Sequence, residues 1–144
     1  MSGYARNSKL AAYQSVSVHG AVAVADPHRL VLMLMDGVME RLAVARASIE
    51  RGDIAKKAQL LHSCITLLGE LRGSLNITQG GALARNLSEL YEYMMRQLLR
   101  ANVDSNVQYI KEVASLLGEV RAAWLAIGPE VRRAGTPGEV TAMR

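Results

Sequence analysis

Apolar residues recur at steps of three and four through most of residues 27–127, the spacing that places side chains on one face of an α-helix. In the stretch 27–51 they are Leu30, Leu34, Val38, Leu42, Ala45 and Ile49. Taken alone, the run Leu30-Val31-Leu32-Met33-Leu34-Met35 would pass for a buried strand, but its continuation keeps the helical period. Asp26-Pro27 supplies the start signal, a carboxylate acceptor followed by a ring that fixes φ at the first helical position. Gly52-Asp53 ends this helix and caps the next. A second helix over about 53–75 carries Leu61, Cys64, Leu68, Leu71 and Leu75, and a loop follows at 76–81. A third, over 82–102, carries Leu83, Leu87, Leu90, Met94, Leu98 and Ala101. A turn at 102–105 leads to a fourth, over 105–127, with Val107, Ile110, Ala114, Leu117, Val120, Trp124 and Ile127. Gly128-Pro129 stops it.

Four helices with short connections predict an all-α fold, an antiparallel up-down-up-down four-helix bundle. The bundle occupies 27–127, with a flexible N-terminal arm at 1–26 and a disordered tail at 128–144. Composition agrees with this class. Half of the 144 residues are hydrophobic, drawn from Leu, Ala, Val and Met, with no Phe and one Trp, whereas sheet proteins lean on aromatic and β-branched residues. The formal net charge of +4 is spread along the chain, with no basic block of the kind that grips nucleic acid. No apolar run reaches the roughly 20 residues that span a bilayer. Arg6 and Lys9 ahead of a Val/Ala stretch imitate a signal peptide, but Ser15, Ser17, His19 and Gly20 interrupt it. A cytoplasmic location without membrane insertion is the expectation.

The residues offer little chemistry. A single cysteine, Cys64, permits neither an intrachain disulfide nor a cysteine-based zinc cluster. The Glu-x-x-His pairs of di-iron bundles are absent, and His19, His28 and His62 form no helical ligand pair. Asp36 with Glu40, and Glu89 with Glu92, stand about one turn apart and read as solvated helix faces balanced by Arg41 and Arg96. Gly69-x-x-x-Gly73 reads as a site of close helix contact. Neither an enzyme nor a cofactor is expected.

Surplus hydrophobicity stands out instead. Leu32, Met35 and Met39 flank the first core stripe, Leu60, Ile65 and Leu67 the second, and Tyr91 and Met95 the third. A bundle helix needs about three apolar positions in seven. The extra width either forms a groove for another amphipathic helix, thickens the core, or makes a homodimer contact.

Ala12-Tyr13-Gln14, the run from Ala25-Asp26-Pro27-His28-Arg29-Leu30 to Asp36-Gly37, and Glu70-Leu71-Arg72-Gly73-Ser74-Leu75 resemble the FliS family of flagellin export chaperones. So do Gly80-Gly81, Asn86-Leu87, Leu90-Tyr91, Leu98-Leu99-Arg100-Ala101-Asn102 and the segment from Leu116 to Trp124. Met35 stands where the family often has Tyr, and Asn76 where Asp is common. The resemblance implies a binding protein that holds the disordered C-terminal segment of flagellin, blocks premature polymerisation and keeps the subunit ready for the export gate. It also implies that the chain's own arm, around Tyr13 and Val16, lies over the hydrophobic surface until flagellin displaces it. On the bundle, the surplus positions best placed to meet flagellin are Ile65, Tyr91 and Met95, which helical projection sets beside the core stripes.

Overall fold

The computed structural model describes residues 26–127; the arm, except for Asp26, and the tail lie outside the described residues. The chain forms α1 (Pro27–Arg51), α2 (Ile54–Gly73), α3 (Ile77–Asp104) and α4 (Val107–Ala126). Each helix packs on its neighbour in sequence, and α4 returns to α1, giving the antiparallel ring of a four-helix bundle.

The helix ends follow the caps that the residue types dictate. Asp26 accepts from the Arg29 amide at 3.2 Å and Asp53 from the Lys56 amide at 3.1 Å. Gly52, at φ 75°, adopts the left-handed conformation that closes α1. The segment 76–81 is not wholly loop. Ile77–Gly80 already winds helically, and the irregularity is confined to Gly81, at φ 56° and ψ −132°.

The core holds Met35, Val38, Leu42 and Ala45 of α1 with Leu61, Cys64, Leu67, Leu68 and Leu71 of α2. Tyr91, Met94, Leu98 and Ala101 of α3 and Ile110, Val113 and Leu117 of α4 complete it. Val38, Leu42 and Ala45, then Leu61, Cys64, Leu68 and Leu71, then Met94, Leu98 and Ala101 are core residues as expected, and the buried arcs differ from the expected stripes at their edges. Met35, Leu67 and Tyr91 lie inside the core, whereas Leu30, Leu34 and Ile49 are only partly buried. The cause is geometric: each helix has two packed neighbours, so its buried arc is centred between them and takes in positions beside the densest leucine row. Leu83, expected in the core, is 68% exposed. Gly69 and Gly73 make no close helix contact, since an added Cβ would meet nothing within 4 Å at either position.

Two polar links join α1 to α4. The Arg121 guanidinium meets the Asp36 carboxylate at 2.5 Å. At the end where α1 begins and α4 finishes, Trp124 Nε1 donates to the His28 carbonyl at 2.9 Å while His28 Nε2 lies 2.6 Å from the Trp124 carbonyl. The two rings stack with centroids 4.9 Å apart.

Candidate functional site

The seam between α2 and α3 is marked by charge. Arg72 Nε donates to Ser88 Oγ at 2.9 Å, and the same guanidinium pairs with Glu92 at 2.8 Å. Seven residues make two turns and return to the same helix face. Because the helices are antiparallel, stepping back seven on α2 and forward seven on α3 moves in one direction. Those steps arrive at Ile65 and Met95, which therefore face the same seam. A second step of seven reaches Ala58 and Asn102, and the Asn102 carbonyl accepts from Lys57 Nζ at 2.8 Å, which fixes the register.

Ile65 and Met95 are partly buried and pack against the core. Beyond Met95, Leu99 and Val103 follow at successive turns and are 55% and 82% exposed. Across the seam Ile54, one turn before Ala58, is 66% exposed. These side chains make one apolar strip, bordered at one end by the Arg72–Glu92–Arg96 ion pairs. Gly69, one turn from Ile65, leaves a notch beside it.

Tyr91 does not belong to this surface. At 2% exposure it is a core residue, and burial raises its phenol above the ordinary tyrosine value. It lies seven residues from both Ala84 and Leu98, which are buried on the same face. The structure therefore brings Ile65 and Met95 to one seam and turns Tyr91 away from solvent; Tyr13 and Val16 lie outside the described residues. Leu99, Val103 and Ile54 were missed at the sequence level. The spacing of Met95, Leu99 and Val103, apolar at two successive steps of four on an otherwise polar face, is the signal that marks them.

A family model described as "Flagellar protein FliS" matches residues 9–131, a span that includes all four helices. The chain belongs to the FliS family. It is 45% identical over 112 residues to flagellar secretion chaperone FliSB of Pseudomonas aeruginosa, covering 78% of this chain and 89% of that protein. With flagellar secretion chaperone FliS of Salmonella typhimurium it shares 43% identity over 124 residues, 85% of this chain and 92% of the relative. The Bacillus subtilis protein of the same name is 31% identical over 113 residues, 78% of this chain and 80% of its own length.

Several titratable groups of this chain are tied up in contacts within and between helices. Burial pushes the Cys64 thiol up to about 12, with the Arg41 charge opposing, so it is no nucleophile near neutrality. Asp36 is held by Arg121, and Glu92 by Arg72 and Arg96. Arg41, expected to balance the first carboxylate pair, instead donates to the Gly37 carbonyl at 2.9 Å. Among the described residues, no three His, Cys, Asp or Glu side chains converge on a point that could hold a metal ion. No described helix is long and apolar enough to cross a membrane.

Proposed function

We propose that this chain is a flagellar export chaperone that binds the C-terminal segment of flagellin in the cytosol, prevents its premature polymerisation and presents it to the export gate. The observation that carries this reading is the apolar strip on the α2–α3 seam of a FliS-family bundle. Exposed Leu99, Val103 and Ile54 continue the line of Ile65 and Met95 and offer an amphipathic helix a row of contacts spaced by turns. A segment that is disordered when free must lose conformational entropy on docking, which burial of its apolar side chains along the strip offsets. The work is binding, with no bond made or broken. On this reading the arm, through Tyr13 and Val16, shields part of the surface until cargo arrives.

The experiment is a titration of a flagellin C-terminal peptide against the unmodified chain and against Ile65→Asp, Met95→Asp and Leu99→Asp, with a thermal melt of each. Burying one such apolar side chain contributes roughly 1.5–3 kcal/mol, so each aspartate should weaken binding about tenfold or more. Leu99→Asp, at an exposed position, should do so with an unchanged melt. The peptide should gain helical circular dichroism as it docks. Unchanged affinity in folded variants would move the site elsewhere on the bundle. Failure of the unmodified chain to bind the peptide would end the chaperone reading.

A further inference from the structure

On the opposite side of α2 from the strip, an open groove of about 360 Å³ runs between α1 and α2, walled by Glu40, Arg41 and Val44 of one helix and Lys56, Gln59, Leu60 and Ser63 of the other. The Cys64 thiol lies 3.8 Å from the Val38 carbonyl, which sets the register of the two antiparallel helices. In that register Arg41 stands toward one end of the groove, Val44 and Leu60 near the middle, and Lys56 toward the other end. Arg41 is partly buried, and its Nη1 donates to the Gly37 carbonyl of its own helix at 2.9 Å. Among the described residues no carboxylate pairs with it, and none pairs with exposed Lys56. No nitrogen of Arg41 is buried without a partner, so its remaining donors open onto the groove. Side chains lean toward the N-terminus of their own helix, so the two cations reach apart, to either side of Val44 and Leu60. Val44 is 43% exposed there. Glu40, next in sequence to Arg41 and so about 100° around the helix from it, is exposed on the outer lip.

We infer that this groove docks an acidic amphipathic helix of a protein other than the cargo. A guanidinium drawn partly out of water is matched best by a carboxylate, which accepts from two of its N–H groups at once. Lys56 gives a second anchor, met by a second carboxylate two helical turns on, ~11 Å along the groove. Between the two acids, apolar side chains of the docked helix cover Val44 and Leu60. The occupant therefore carries acid, apolar, apolar and acid at i, i+3, i+4 and i+7, positions that share one helix face. Gln59 and Ser63 offer hydrogen bonds along the α2 wall. A basic helix would find one acid, Glu40, and would set its charges against two cations. Glu40 also repels an incoming carboxylate, so its charge holds the affinity for an acidic helix down. Because the groove and the α2–α3 strip lie on opposite flanks of α2, both can be filled at once. This inference does not depend on what the strip binds.

Fluorescence anisotropy tests it with a dye-labelled peptide, blocked at both ends and about 16 residues long, carrying Glu at i and i+7 and Leu at i+3 and i+4 on an Ala/Gln background. A twin peptide has Gln in place of both Glu. The full chain, raised into the millimolar range, should bind the acidic peptide about tenfold more tightly than the twin, and added salt should narrow the gap. Arg41→Gln should weaken the acidic peptide about tenfold and Lys56→Gln about threefold, with the twin unaffected. Glu40→Gln should tighten the acidic peptide by about threefold. Lys56 and Glu40 are exposed, so melts of their variants should match the parent, and these two carry the test if Arg41→Gln loosens the fold. A saturating flagellin C-terminal peptide should leave the Kd of the probe unchanged. No binding of the acidic peptide, equal binding of both peptides, or indifference to Lys56→Gln and Glu40→Gln would overturn the inference. So would displacement of the probe by the flagellin peptide, which would give the groove to the cargo. A fall in the weight-average mass of the chain by sedimentation as probe is added would give the groove to a second copy, and would overturn it equally.

Discussion

Burying a lysine costs free energy unless its ammonium keeps hydrogen-bond partners, and Lys57, 4% exposed, keeps two. Its Nζ donates to the Asn102 carbonyl and to Ser105 Oγ, each at 2.8 Å. The first satisfies a carbonyl in the last turn of α3, where the helix dipole favours a cation. The second holds Ser105 at φ 50°, a left-handed conformation uncommon for a residue other than glycine. Lys57→Met keeps most of the stem but strands that carbonyl, so the melting temperature should fall on the order of 5–10 °C by calorimetry. A second residue-scale link joins α3 to α4. The Tyr93 hydroxyl donates to Glu112 at 2.6 Å and the Gln97 amide donates at 2.8 Å. The Tyr93 bond first, then the Gln97 bond, holds the Glu112 carboxyl below its ordinary value of 4.5. A carboxyl lowered by folding adds stability above its unfolded value, and that stability is lost as pH falls through the folded value. Tyr93, raised mainly by the same bond, contributes below the ordinary tyrosine value and loses that contribution as pH rises through its folded one. Melts of the parent and Tyr93→Phe across pH should therefore differ near neutrality and converge in acid. Because both groups are exposed, the difference should be small at every pH.

At the scale of elements, α3 carries the clearest backbone constraint. Gly81 interrupts it at φ 56° and ψ −132°, a region open essentially to glycine alone. Space is not the obstacle, since an added Cβ would meet nothing within 4 Å. Gly81→Ala should nevertheless destabilise the bundle by about 1–3 kcal/mol through backbone strain, measured by urea denaturation. Gly73→Ala, with equal space and a helical backbone, serves as the control and should be neutral or stabilising. The Gly80-Gly81 pair was legible as a break, and Asp26-Pro27 and Gly52-Asp53 as helix boundaries, because each acts through its own backbone chemistry. The edges of the buried arcs were not legible. Met35 and Leu34 are equally apolar neighbours, and only the directions of α2 and α4 decide that Met35 points inward. The same applies to Tyr91, which the leucine row of α3 left to one side. Ile65 and Met95 were readable as apolar positions flanking a stripe; that they face one seam follows from the Arg72–Ser88 register, which no periodicity contains.

At the scale of the whole molecule, α1 begins and α4 ends at the same end of the bundle. That end is closed by the reciprocal bonds and stacked rings of His28 and Trp124. The core is unevenly filled around it. Val31, Leu34, Leu87, Leu90, Val120 and Trp124 pack there around enclosed Leu68 and Leu71 but are themselves only partly buried, whereas Leu42, Leu61, Leu98 and Ile110 are almost completely enclosed. Side chains with fewer apolar neighbours contribute less, so this end should have the lower local unfolding free energy. The clasp is then its principal fastening. His28→Ala removes the stacking and one of the two hydrogen bonds, and amide exchange should rise at the start of α1 and the last turns of α4. The chain's one tryptophan sits in the clasp and reports on it directly. In the parent, its fluorescence and the helical circular dichroism should melt together, as a two-state unit does. In His28→Ala the fluorescence transition should come first, by several degrees. Cargo affinity should hold at temperatures below that transition, because the α2–α3 strip lies across the ring from the α1–α4 seam. Coincident transitions in the variant would mean that Leu42, Leu61 and their neighbours hold both ends of the bundle as one cooperative unit, with the clasp only adding to their total.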